Sequence, residues 1–223
     1  MQQRRLALDD SRPIWRAMLV FLVPVMLSNI LQSASATFNS IYLGRLIGVH
    51  AFAAASAFFP IVFFMIAFFI GIASGATVLI GQAYGARDEE RLKAVAGTTL
   101  SLCIGLGVVV GGLGWVFAPE LLGLIRTPPD VLDQALAYAR VTFLGLPVLF
   151  TYLAYTTFVR GTGDSRTPFL ALIVSTALNL VFTPALIRGW IGLPQLGIVS
   201  AAVANILSSV FAIAFTLVAL ALE

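Results

Sequence analysis

The sequence predicts an all-α polytopic membrane protein with six transmembrane helices in one lobe, and three observations predict it. Hydrophobic residues make up 60% of the 223 and charged residues 10%, where a soluble domain carries roughly 25% charge; mean hydropathy is +1.00. The apolar residues gather in continuous runs that reach the roughly 20 residues needed to cross a hydrocarbon core about 30 Å thick. Those runs do not alternate in polarity, which excludes a transmembrane barrel.

Taken in order, the spans are expected at about 15–43, 51–82, 94–117, 136–160, 167–187 and 197–222, making residues 1–223 a single lobe. The connectors "GRLIGVH", "GARDEERLK", "APELLGLIRTPPDVLDQ", "RGTGDSRTP" and "RGWIGLPQLG" carry the glycines, prolines and charges that break helices. Pro24 removes a backbone hydrogen bond from the first span and is a candidate hinge. The second span, at about 32 residues or 48 Å, exceeds the hydrocarbon thickness and must tilt, bend or protrude. Pro60 and the glycines of "GIASG" are the places for a bend, or equally for close packing. In the third run sits Cys103, the one cysteine, which reads as a small buried hydrophobe and forms no intramolecular disulfide. "FLGLPVLF" in the fourth span echoes "FLVPVML" in the first, a short hint of an inverted repeat. A cleaved signal is the alternative for the basic start, apolar run and "SASA", but the first run continues as one polar-lined helix and the rest of the chain is equally apolar.

The net charge of +3 and pI near 9.4 make no case for nucleic acid, because the basic residues lie at helix ends without forming a dense cluster. Arg4, Arg5, Arg12, Arg16, Arg87, Arg91, Lys93, Arg160 and Arg166 fall on one side; Arg45, Arg126, Arg140 and Arg188 fall on the other. The excess on the first side predicts cytoplasmic termini in a plasma (inner) membrane. No ionisable residue falls well inside an expected span. No nucleophile, base and orienting acid are grouped, His50 is in a loop, and no metal-ligand spacing occurs, so an enzyme is not expected.

Uncharged polarity is what the membrane segments contain. Gln32, Ser35, Asn39 and, less closely, Asn29 share a face of the first span, and Asn179 and Thr183, four apart, share a face of the fifth. Such groups either hold helices together through interhelical hydrogen bonds or line a wet cavity. Phe58, Phe59, Phe63 and Phe64 read as lipid-facing packing or, alternatively, as an apolar pocket wall.

"FNSIYLGRLIGVHAFAAASAFFPI", "GQAYGARDEERL", "VRGTGDSRTP", "LNLVFTPALIRG" and "PQLGIVSAAVANILS" together resemble, in order, motifs of the multidrug and toxic compound extrusion (MATE) transporters. The resemblance implies a MATE-like fold of which this chain is the N-terminal lobe, normally joined to a second six-helix lobe in a protein about twice as long. It implies a secondary antiporter that exports amphipathic or cationic small molecules by alternating access, with no cofactor beyond a coupling ion, H+ or Na+. The partner would be a missing second lobe or a parallel homodimer mate. In coupled branches the family has Asp where Asn39 stands, and Asn followed by Asp where Asn179 and Thr183 stand; a Thr near the sixth-span motif becomes Asn205. Gln32 matches a drug-contacting position, and Tyr152 and Thr156 fall where a cavity wall is implied. With both carboxylates replaced, the alternatives are a nontransporting or regulatory half-module and a lipid-linked precursor flippase.

Overall fold

The computed structural model describes residues 14–189 and 195–221; Arg4, Arg5 and Arg12 of the charge argument and part of the fifth connector lie outside them. Six helices are long and apolar enough to cross a membrane. They are α1 (Ile14–Tyr42), α2 (Val49–Gly85), α3 (Glu89–Val116), α5 (Pro129–Gly161), α6 (Arg166–Arg188) and α7 (Val199–Ala221), with the short α4 (Ala118–Leu124) between α3 and α5. No strand occurs among the described residues.

Two connectors are more helical than their composition suggests. Leu43–Ile47, inside "GRLIGVH", forms a π-helical turn closed by Gly48 N donating to Leu43 O at 3.1 Å. The chain breaks only at Gly48, whose φ of 123° and ψ of 175° suit glycine alone. Likewise "APELLGL" folds as α4, with Pro119 in its first turn, where a missing N–H costs nothing. Helix α2 runs through Pro60 and both "GIASG" glycines for 37 residues, about 55 Å, so its excess length is not removed by a break. Helix α3 starts after Asp88, whose carboxylate accepts from Arg91 N at 2.9 Å and satisfies a first-turn donor.

Helix α5 is central, packed against α2, α3 and α7, while α6 bridges α7 to α1. Small residues bring these helices close. A Cβ at Gly107 would stand 2.7 Å from Pro147 Cα, and one at Gly111 2.6 Å from Phe143 O, so α3 rests on the α5 backbone through glycines four apart. On α7, Ser200, Ala204, Ser208, Ala212 and Thr216 are all buried, a four-residue repeat that puts one small face inward. Aromatic rings join α2 to α5: Phe58 meets Phe143 edge-on at 5.3 Å between centroids, and Phe69 meets Phe150 at 4.7 Å. Phe58 is therefore core, whereas Phe59, Phe63 and Phe64 are exposed, which divides a run of phenylalanines that composition treats alike. Cys103 is buried, in the same cluster as Phe143 and Leu146.

Candidate functional site

The polar residues of α1 and α6 meet. Asn39 Nδ2 donates to Asn179 Oδ1 at 2.9 Å, and Thr183 Oγ1 lies 3.2 Å from Asn39 Oδ1 and 3.5 Å from Asn179 Oδ1. Asn179 is 3% exposed and Thr183 0%, while Asn39 is half-buried. The spacing explains the geometry: a four-residue step stacks Asn179 and Thr183 on one face of α6, and α1 crosses that face at Asn39.

Thr183 differs here from the other hydroxyls. Thr37, Thr77, Thr142, Thr151, Thr156, Thr157 and Thr216 each donate to the carbonyl four residues earlier in their own helix. That bond lets a hydroxyl sit in an apolar helix without a partner elsewhere. Thr183 reaches across to α1 instead. Both carbonyl oxygens of the amide pair already accept hydrogen bonds, and the unused group is a donor: Asn179 Nδ2 is buried without a partner.

Other expected positions are not drawn into this cluster. Gln32 and Asn205 are exposed, and neither side chain makes a hydrogen bond among the described residues. Asn205 contributes only its backbone carbonyl, which accepts from Ser209 Oγ at 2.8 Å. Tyr152 and Thr156 are half-buried on α5, with the Thr156 hydroxyl returned to Tyr152 O at 2.9 Å. Ser35 is half-buried and Asn29 exposed, so the α1 polar face is engaged at Asn39 and open above it. Pro24 lies within α1, with Ser28 Oγ donating to its carbonyl at 2.8 Å; Thr151 repeats this at Pro147 O at 2.7 Å, so the two echoing segments share a proline followed by a hydroxyl four residues on.

The loop motif "RGTGDSRTP" is organised locally. Asp164 accepts from Arg166 N at 2.8 Å, from Thr167 N at 3.2 Å and from the Thr167 hydroxyl. Its carboxylate is spent on opening α6, and it forms no ion pair with Arg160 or Arg166 among the described residues. The two hollows of the bundle, of about 250 and 390 Å³, lie elsewhere, against Phe64, Met65 and Val110. They are apolar and do not include the amide pair. One ionisable side chain lies further along its helix than expected. Because α5 begins at Pro129, Arg140 is its twelfth residue, about 17 Å along the helix. Its four-residue depth in the expected span gave no sign of this.

The six apolar helices and the polar contact between two of them define a multi-pass membrane protein. The MatE family model matches residues 24–185. Over 201 residues the chain is 51% identical to the "Probable multidrug resistance protein YoeA" of Bacillus subtilis, covering 90% of this chain and 43% of that protein. Solved structures of MATE in the bent and in the straight conformation each share 28% identity over 90% of this chain, with a TM-score of 0.81, and it covers 44% and 43% of them. The chain belongs to the MatE family, whose members are transporters and not enzymes. It spans less than half the length of the relatives it matches.

Proposed function

We propose that this chain is one lobe of a multidrug efflux transporter that moves amphipathic or cationic small molecules outward as two lobes alternate access. The second lobe is a second six-helix unit, within the same protein or separate from it, or a parallel copy of this chain, and both termini of this lobe face the cytoplasm. The carrying observation is the similarity to multidrug resistance and MATE proteins over 90% of the chain; it is qualified by the neutral contact of Asn39, Asn179 and Thr183, since the resemblance implies carboxylates at positions 39 and 183.

An amide and a hydroxyl take up and release no proton in the working pH range. A sodium ion needs oxygen ligands, and its sites draw much of their strength from negative charge; the two amide oxygens already accept hydrogen bonds and carry no formal charge. We therefore assign no ion coupling to this lobe: coupling, where the whole transporter has it, belongs to a second lobe of different sequence, and a pair of identical copies would be a facilitator.

The test is transport of a fluorescent organic cation into liposomes carrying the complete two-lobed assembly. Asn39→Asp combined with Thr183→Asp should add a pH dependence beyond any the parent shows. Identical rates in acidic and neutral media for parent and variant would overturn this account. Dependence of the parent on titration within this lobe would overturn it equally.

A further inference from the structure

We propose that Arg140 and Trp115 form a binding site for the phosphate of an anionic phospholipid, at the end of the bundle where α3 stops and α5 begins. The Arg140 guanidinium carbon lies 5.1 Å from the centre of the Trp115 ring. The guanidinium has no ion pair or hydrogen bond among the described residues, and its Nε is buried and unpartnered. The nearest acids in sequence are committed elsewhere or exposed. Asp130 faces His50 at 3.7 Å, and Asp133 is exposed.

Depth identifies the ligand. Trp115 is the penultimate residue of α3, at the end of its apolar run, where tryptophan sits at the level of lipid head groups. Arg140 is held at the same level by its contact with that ring. A guanidinium is always charged and presents a planar fork of donors suited to phosphate oxygens. Leaving such a group without an acceptor is costly, and at this depth the abundant acceptors are head-group phosphates.

The surroundings suit a lipid better than a free anion. On α3, Ile104 and Val108 share the face of Trp115 by steps of seven and four, and Leu144 follows Arg140 by one turn on α5. All three are exposed apolar side chains, Leu144 at 63%. They continue from the cation toward the membrane centre as a strip for an acyl chain. The two apolar hollows lie on the opposite flank of α3, so they are not part of this site.

The experiment is native mass spectrometry of the purified full chain in detergent, titrated separately with phosphatidylglycerol, phosphatidylcholine and inorganic phosphate. One phosphatidylglycerol should be retained in preference to phosphatidylcholine, and phosphate should not displace it. Arg140→Gln should weaken that retention about tenfold, the scale of one charge-assisted contact, and Arg140→Lys should restore part of it. Trp115→Leu, which keeps the charge and removes the stacking surface, carries the test if the glutamine variant does not fold. Equal retention of both lipids, displacement by phosphate, or unchanged retention in the folded variants would overturn the proposal.

Discussion

Replacing either member of the amide pair by leucine, which has nearly the same shape, should have unequal costs. Asn39→Leu removes the donor to Asn179 and the closer acceptor of Thr183, leaving the Asn179 amide only the long 3.5 Å contact from Thr183, where only 3% of its surface is exposed. A buried polar group so stranded costs about 1–3 kcal/mol. Asn179→Leu leaves Asn39 instead, which is half-buried and keeps the Thr183 hydroxyl on its oxygen at 3.2 Å. The expected cost is that of an interhelical hydrogen bond in a membrane, about 0.6 kcal/mol and at most about 1.7; it also removes the unpartnered Nδ2. In the double variant both polar groups are gone, and the Thr183 hydroxyl can turn to the carbonyl of position 179, the four-residue bond that Thr142 and Thr151 already make. The double variant should therefore cost no more than Asn39→Leu alone, giving an interaction energy on the order of 1–2 kcal/mol. Reversible unfolding in mixed micelles of the four proteins measures it. Additivity within about 0.3 kcal/mol, or a larger cost for Asn179→Leu than for Asn39→Leu, would refute the reasoning.

Gly111→Ala should lower the thermal midpoint by several degrees, since overpacking against the Phe143 backbone costs about 1–3 kcal/mol; Gly112→Ala, whose Cβ would meet nothing within 4 Å, should be neutral or slightly stabilising. In a Cys103-free background, a cysteine at position 32 should react quickly with a small water-soluble thiol reagent and one at 183 slowly, with accessibility at 39 between them; equal rates would place Thr183 on a wet surface. Native mass spectrometry of the chain in lipid-like media, followed through dilution, should show a persistent dimer if a second copy supplies the other lobe, and a monomer if a six-helix unit of different sequence does.

The helices were legible because membrane crossing imposes a length and a composition that six runs meet. Their ends were harder to place. Leu43–Ile47 looked like a break because it carries Gly44 and Arg45, yet a helix tolerates both for one turn, and only the backbone angle at Gly48 compels an interruption. Helix α5 extends back to Pro129 because two prolines and an aspartate suit a first helical turn, so a hydropathy reading that waits for apolar residues starts it too late and misplaces Arg140. The phenylalanine run shows a related limit: Phe58 and Phe59 are neighbours with the same chemistry, and only the position of α5 makes one core and the other surface.

At the candidate site, spacing identified the faces of α1 and α6 that carry polarity, but could not say which polar groups meet across helices. A hydroxyl has two ways to be satisfied, by its own helix or by another, and sequence does not distinguish Thr156 from Thr183. The structure does, and the difference bears on how α1 is held. Every described side chain from Trp15 to Val23 is exposed, and Pro24 withdraws a backbone donor at the end of that stretch. Below it, α1 packs chiefly on α6, joined there by the contact at Asn39 and extended by the π-helical turn that ends at Gly48. The two ends of α1 are thus unequally anchored. Motion of α1 would pivot about Pro24 while Asn39 stays bonded, and a neutral contact keeps that anchor independent of pH. A carboxylate in the same place would couple the anchor to protonation, which is the change the Asp variants make.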